Sequence, residues 1–321
     1  MGRVLRTWID PFVVALLAAL AVGLLVPVPD GVRAVLDRAG DVAVTVLFLV
    51  YGMRLSTTEV LAGLRNVRLQ GSILAATYLL FPALGLLLHT VAVPVLGEAL
   101  ATGMLYLALL PSTVQSSVAF TSLARGNVAG AICAATVSNV VGMVLTPLLV
   151  LLVMDRSGAA GAGGLGDVLL RLLLPFTVGQ LLQPWVGSWV RARRWLTLSV
   201  DRGTILLVVF GAVTAATASG VWDSVTWTMV LALLAISGAL LAAMLSATWW
   251  GGAALRLDVP DRIALLMCGS KKSLATGLPM AAVLFPAATA ATVAVPVIIF
   301  HQLQLVVAAV LARRLGARQD G

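Results

Sequence analysis

Ten apolar segments, each close to the length of a bilayer crossing, follow one another along this chain with only short polar punctuation between them: 11–28, 40–55, 70–92, 97–124, 128–153, 167–190, 203–222, 225–254, 261–285 and 289–312. A helix needs about 20 apolar residues to cross about 30 Å of hydrocarbon, so this pattern predicts an all-α, polytopic membrane protein with ten transmembrane helices. Composition agrees, with 60% hydrophobic and 11% charged residues against about half and about a quarter in soluble domains. A soluble enzyme, a disordered chain and a disulfide scaffold are excluded together. Cys133 and Cys268 both lie in apolar stretches without metal-ligand spacing and read as small buried residues. The basic start (Arg3, Arg6) and the apolar run from Pro11 resemble a signal sequence. That run ends in Val26-Pro-Val-Pro-Asp30 with no small-residue cleavage site, so it is expected to be a retained first span.

The net charge of +8 comes from 21 basic residues scattered between apolar runs, with no basic stripe to fit a nucleic acid. Cytoplasmic loops collect Lys and Arg, which tests the count of crossings. One face receives 15 residues (Arg3, Arg6, Arg54, Arg65, Arg68, Arg125, Arg191, Arg193, Arg194, Arg202, Arg256, Arg262, Arg313, Arg314, Arg318) and the other receives three, Arg33, Arg38 and Arg156. A missed or invented span would blur that split. Both termini are therefore expected in the cytoplasm, with the chain in the cytoplasmic membrane. Trp8, Trp189, Trp222 and Trp249 fall near span ends, where indole rings anchor at the interface.

The Gly-rich stretch 157–166 divides the spans into five plus five, residues 1–156 and 167–321. An odd number of spans per half forces opposite orientations, the inverted repeat of many secondary transporters. Phe48-Leu-Val-Tyr-Gly52 resembles Leu207-Val-Val-Phe-Gly211, and Gln115-Ser-Ser-Val-Ala119 resembles Lys271-Lys-Ser-Leu-Ala275, at matching places in the two halves.

The strongest functional signal is a polar interruption in the same span of each half. Pro111-Ser-Thr-Val-Gln-Ser-Ser117 breaks the fourth span, and Cys268-Gly-Ser-Lys-Lys-Ser273 breaks the ninth. Backbone freed at a break cannot face lipid; it must be buried in protein or line a watery cavity. Paired breaks point to a binding site near the bilayer midplane, where half-helix N-termini attract anions and C-terminal carbonyls attract cations. Lys271 and Lys272 are the only lysines of the chain, and a charge at that depth is costly unless hydrated or partnered. Two roles are open to them: capping half-helix carbonyls or snorkelling, and supplying a fixed cation to the site. Thr136, Ser138 and Asn139 in the fifth span and His301, Gln302 and Gln304 in the tenth follow the breaks and are candidates for the same cavity. His301 suits either a proton shuttle or a plain interhelical hydrogen bond. Arg125 and Asn127 suit a cytoplasmic turn. The substrate site is thus expected at Ser112, Thr113, Gln115, Ser116, Ser117, Ser270, Lys271, Lys272 and Ser273 with those flanking groups.

At Pro111-Ser-Thr-Val-Gln-Ser-Ser-Val-Ala-Phe-Thr-Ser-Leu-Ala-Arg-Gly-Asn127, Gly269-Ser-Lys-Lys-Ser-Leu-Ala275 and His301-Gln-Leu-Gln304 the chain resembles the bile acid:sodium symporter family, in its SBF-like branch, from Asp10 to Arg314. The resemblance implies a core of spans three to five and eight to ten, with the broken fourth and ninth crossing in it, and a panel of spans one, two, six and seven. It also implies transport of a small organic anion by alternating access, with Na+ as coupling ion. Against Na+ stand the departures. Sodium-dependent members carry Ser-Asn where this chain has Ser116-Ser117, a Ser and a Thr where it has Ala131 and Ala135, and a carboxylate and a glutamine where it has Met267 and Lys271. One of the two lysine ammonium groups is expected to take the space and charge of a bound cation; no metal and no other cofactor is expected. A second function class stays open, a non-transporting membrane regulator of ion or calcium homeostasis that acts through a partner. An enzyme is disfavoured by the absence of H-E-x-x-H, paired intramembrane aspartates and G-x-S-x-G, and an ATP-driven pump by the absence of G-x-x-x-x-G-K-[ST].

Overall fold

The computed structural model of the protein describes residues 11–55, 66–154, 165–220, 222 and 225–317. Among the described residues all regular elements are helical and no strand occurs. Arg3, Arg6, Trp8, Arg65, Arg156, Arg318 and residues 157–164 of the expected linker lie outside them. The helices are α1 (Pro11–Leu25), α2 (Asp30–Arg54), α3 (67–96), α4 (98–109), α5 (Gln115–Leu123), α6 (Val128–Met154), α7 (Leu165–Ala192), α8 (Arg194–Ala218), α9 (Trp227–Ala254), α10 (Val259–Gly269), α11 (Leu274–Leu284) and α12 (Ala287–Ala317). Among the described residues five helical segments are long and apolar enough to cross a bilayer unaided: Val67–Leu109, Val128–Met154, Arg194–Ala218, Trp227–Ala254 and Ala287–Ala317.

The first of these segments has 43 residues, about 65 Å at 1.5 Å per residue and twice the hydrocarbon thickness. It is really two helices. Gly97 takes φ 72, ψ 164, a conformation open to glycine and strained for any other residue, and the chain doubles back there. Gly85 of α3 then faces Ala108 of α4 so closely that a Cβ on the glycine would collide with the alanine side chain.

Three sequence boundaries need correction. Helix α2 begins at Asp30 rather than at 40: its first turns carry Asp30, Arg33, Asp37, Arg38 and Asp41, with Arg33 paired to Asp30. A hydropathy reading stops where such charges begin, whereas a helix continues through them on backbone bonds and i,i+3 pairs. Helix α8 begins at Arg194 rather than at 203, directly after α7, with only Arg193 between them. Consequently Asp201, assigned to a loop by sequence, lies inside a helix, 7% exposed. The expected linker also ends early, since α7 starts at Leu165.

Packing sorts the helices into two groups that each draw on both halves of the chain. Helix α8 packs on α1, α2 and α7, and α2 packs on α7, while α3 to α6 pack with α9 to α12; α8 also packs on α11 and α12, and α7 on α6, which joins the two groups. In the first group, α2 and α7 approach backbone to backbone: a Cβ on Gly52 would strike the Phe176 carbonyl, and one on Gly179 would strike the Leu49 carbonyl. Lipid supplies no hydrophobic drive between helices, so such close van der Waals approach is what holds them together. In the second group, three helix starts are tied at one face. The Asp261 carboxylate in the first turn of α10 accepts from Asn66 Nδ2 and from Asn127 Nδ2, both at 2.7 Å. Asn66 caps α3 through the Leu69 amide, and Asn127 accepts from the Gly130 amide at the start of α6.

Candidate functional site

The two interruptions meet. Proline has no N–H and disfavours helical geometry in the residue before it, so α4 ends at Leu109 with Leu110 extended (φ −72, ψ 157) and α5 starts at Gln115. In the ninth span α10 ends at Gly269, and Ser273 (φ −81, ψ 111) begins α11 by accepting from the Thr276 amide. The 11 residues of α10 rise about 16 Å, half a bilayer, so the break sits deep. The Ser273 amide donates to the Pro111 carbonyl at 2.8 Å.

Each half-helix leaves C-terminal carbonyls without intrahelical donors, and the opposite break supplies them. Ser112 Oγ donates to Cys268 O (2.5 Å) and Ser117 Oγ to Met267 O (2.9 Å), satisfying α10. Ser270 Oγ returns to Leu266 O. At the end of α4 the donors are Thr146 Oγ1 on Leu109 O (2.9 Å) and Lys272 Nζ on Ala108 O (2.9 Å) and Leu110 O (2.6 Å). The third Lys272 bond runs to Thr77 O at 2.9 Å, in the π-helical turn Ala76–Leu80 of α3, and the ammonium also lies 4.2 Å from the Phe81 ring centre. Lys271 points elsewhere: its Nζ donates to Ser116 O at 3.2 Å and sits 4.4 Å over the Phe120 ring. Both lysines are 1% exposed.

The helices after the breaks hold this joint from behind. Ser138 Oγ accepts from the Ser112 amide, and Asn139 Nδ2 donates to Ser112 O (2.8 Å) and Ala135 O (2.9 Å), while its Oδ1 accepts from Thr276 Oγ1 (2.7 Å). Tyr78 Oη donates to Ser138 O, and Thr113, Ser116 and Ser117 share hydroxyl bonds. Gln304 brackets the unwound Lys272 backbone, accepting from its amide and donating to its carbonyl, both at 2.8 Å. The backbone N–H must donate, which orients the Gln304 amide; its second N–H then meets His301 Nδ1 at 2.9 Å. Nδ1 is the acceptor, so the ring proton sits on Nε2.

Between the two helix groups lies a cavity of about 1300 Å³. At its inner end are Thr113, Gln115, Ser116, Thr136, Asn139, Ser273, Thr276 and His301; its walls are apolar, among them Ile132, Val140, Met143, Phe176, Ile205 and Leu305. Its outer end carries Arg54, Asn66, Asn127, Arg191, Arg194, Asp201 and Arg202. Arg54, Asn66, Asn127, Arg191 and Arg194 stand at the ends of α2, α3, α6, α7 and α8, so the opening is at one membrane face. Among the described lining residues four arginines oppose the single carboxylate of Asp201, a field that concentrates anions. Of the residues expected at the site, Ser112, Ser117, Ser138, Ser270, Lys271, Lys272, Gln302 and Gln304 are absent from the cavity wall. All but Gln302 build the joint beneath it; Gln302 joins no hydrogen bond through its Nε2.

Similarity to known proteins agrees with this architecture. The model of the SBF-like CPA transporter family matches residues 10–317. The chain belongs to this family. An uncharacterised protein of Pseudomonas aeruginosa is 41% identical over 313 residues, covering 97% of this chain and 94% of that protein. The symporter-named YfeH of Escherichia coli K12 is 40% identical, covering 95% and 92%. Sodium/bile acid cotransporter 7 of Xenopus tropicalis is 24% identical, covering 97% and 93%. The SBF-like chain is therefore a multi-pass membrane protein of a transporter family.

The sodium named in that vertebrate relative finds few ligands at the corresponding place in this chain. Met267 is buried in an apolar cluster with Ile263, Leu266, Ala124, Ala308 and Ala312, and Ala131 and Ala135 are buried without hydroxyls. With no carboxylate and an ammonium in the neighbouring break, these residues do not fit a bound cation. Sequence reasoning about this SBF-like chain missed Thr276, the cavity-lining partner of Asn139, as well as Asp201 and the Asp261 clamp. Thr276 carried a readable signal, lying three residues beyond Ser273 in a serine-capped helix start. Asp201 was hidden by the boundary error in α8.

Proposed function

We propose that this protein is a secondary active transporter that carries a small organic anion across the cytoplasmic membrane by alternating access. The observation that carries the reading is the cavity between two helix groups, walled by apolar side chains, ending on the paired breaks and rimmed by Arg54, Arg191, Arg194 and Arg202. An anion with an apolar body matches both parts of that lining. Thr113, Gln115, Ser116, Thr136, Asn139, Ser273, Thr276 and His301 would take the substrate's polar atoms, with Lys271 behind Ser116 adding positive charge from below.

In this reading the chain makes ten crossings as an inverted repeat, residues 1–156 and 167–321. The fourth is α4 with α5, and the ninth is α10 with α11. The doubling back at Gly97 and the hydroxyl-to-carbonyl bonds from the first break to the end of α10 support that count. Helices α1, α2, α7 and α8 form the panel against which the remaining helices rock. Both termini are cytoplasmic, and the arginine-rich opening faces the cytoplasm, an inward-facing state.

The test is uptake into proteoliposomes of a panel of carboxylates and sulfates bearing apolar bodies, for the wild-type protein and for Ser116→Ala, Thr276→Val and Arg194→Gln. At least one anion is transported, and all three variants reduce its transport. Normal transport in the two break variants, together with altered behaviour on substitution of Arg191, Arg193 and Arg194 alone, would favour the regulator instead.

A further inference from the structure

An ammonium has three N–H groups and no lone pair, and a neutral amine has only two. Lys272 Nζ meets three backbone carbonyls that can only accept: Thr77 O at 2.9 Å, Ala108 O at 2.9 Å and Leu110 O at 2.6 Å. The three contacts are satisfied together only by the charged form. The cage has further features of a cation site. Two of its oxygens belong to the C-terminal end of α4, where the helix dipole is negative. The Phe81 ring face at 4.2 Å and the Tyr78 ring at 5.9 Å add their quadrupoles. The third oxygen comes from the one π-helical turn among the described residues, Ala76–Leu80, a distortion that frees and redirects carbonyls and is frequent at functional sites.

We infer that the Lys272 ammonium is a built-in cation: it fills a carbonyl cage that would otherwise bind a small monovalent cation, and so locks α3, α4 and the α10–α11 break together without a dissolved ion. Its meaning for coupling rests on the transporter reading; the cage itself does not. In a carrier of this design the charge that stabilises the crossed breaks travels with the protein through every state. No ion is then bound or released at this point of the cycle. Lys271 lacks this geometry, having one carbonyl and one ring, so the assignment distinguishes the two adjacent lysines.

The test uses thermal unfolding of the purified full-length protein at constant ionic strength in choline, sodium, potassium and methylammonium chloride. The wild type melts at the same temperature in all four. Lys272→Ala melts several degrees lower in choline and regains stability in a saturable way with sodium, potassium or methylammonium, because a ligand bound only by the folded state raises its stability. Lys272→Arg keeps the charge and gains no such response. If Lys272→Ala folds only in the presence of one of the small cations, the proposal holds in its strongest form. It is overturned if the wild type is itself stabilised by sodium over choline, if Lys272→Ala is equally unstable or fails to fold in all four salts, or if Lys272→Arg responds like the alanine variant. Each readout is stability, so failure here leaves the transport assay to decide the function independently.

Discussion

Ser273 and Pro111 join the two interrupted spans directly, amide to carbonyl at 2.8 Å. The breaks are thus one joint, in which each strand of irregular chain ends the other's half-helix. Polar groups that would be orphaned in hydrocarbon are used up in that exchange, which is how irregular backbone survives at membrane depth.

Asn139 is the joint's principal brace. Asn139→Leu keeps the volume and removes the bonds to Ser112 O, Ala135 O and Thr276 Oγ1, stranding a buried carbonyl in the first break. The expected cost is about 2 kcal/mol, read as a fall of a few degrees in melting temperature, with substrate binding weakened beyond what the stability loss accounts for. A wild-type melting temperature would show that Asn139 braces nothing.

Asp201 is the only acid among the described residues that line the cavity; its Oδ2 lies 3.8 Å from Arg54 Nη1 and its Oδ1 joins no hydrogen bond. Asp201→Asn removes one negative charge from an anion-attracting cavity. At an effective dielectric constant near 20 the gain is about 1 kcal/mol, roughly fivefold tighter binding of whichever anion stabilises the wild type most. Isothermal titration measures it. Arg54→Gln should weaken the same anion, and equal effects of the two substitutions would argue that charge is not what the cavity reads.

Close approach of α2 and α7 makes Gly52 intolerant. Gly52→Ala drives a methyl into the Phe176 carbonyl and should sharply lower the yield of folded protein. Gly71→Ala, on α3 with open space at its Cβ, should be neutral or stabilise by about 0.5–1 kcal/mol through helix propensity. Size-exclusion profiles after detergent extraction compare the two.

The Asp261 clamp is separable from the cavity chemistry. Asp261→Ala removes charge-assisted bonds to Asn66 and Asn127 and a favourable acid in the first turn of α10. A loss of about 2–4 kcal/mol is expected, with hydrogen exchange rising at the starts of α3 and α6 and not at α9. Uniform exchange across all three would indicate global loosening instead.

The breaks and the lysines were readable from sequence because Pro111-Ser-Thr-Val-Gln-Ser-Ser117 and Ser270-Lys-Lys-Ser273 have no reason to interrupt apolar helices except a structural or functional one. What each lysine touches was not readable. The partners of Lys272 are the carbonyls of Thr77, Ala108 and Leu110, and a carbonyl leaves no signature in the identity of its residue. Asp201 escaped for a different reason. Hydropathy marks where lipid begins, whereas α8 begins nine residues earlier, at Arg194, in helical chain too polar to register. The doubling at Gly97 was legible as a boundary between spans, though not as a single helical run bent at one residue.

The Asp261 clamp also bears on how the chain is assembled. Asn66 and Asn127 meet their carboxylate across 195 and 134 residues of sequence, so the starts of α3 and α6 stay untied until α10 has been synthesised and inserted. A truncated product that stops before Asp258 would lack the carboxylate that ties these two helix starts together, leaving them free to part at the membrane face.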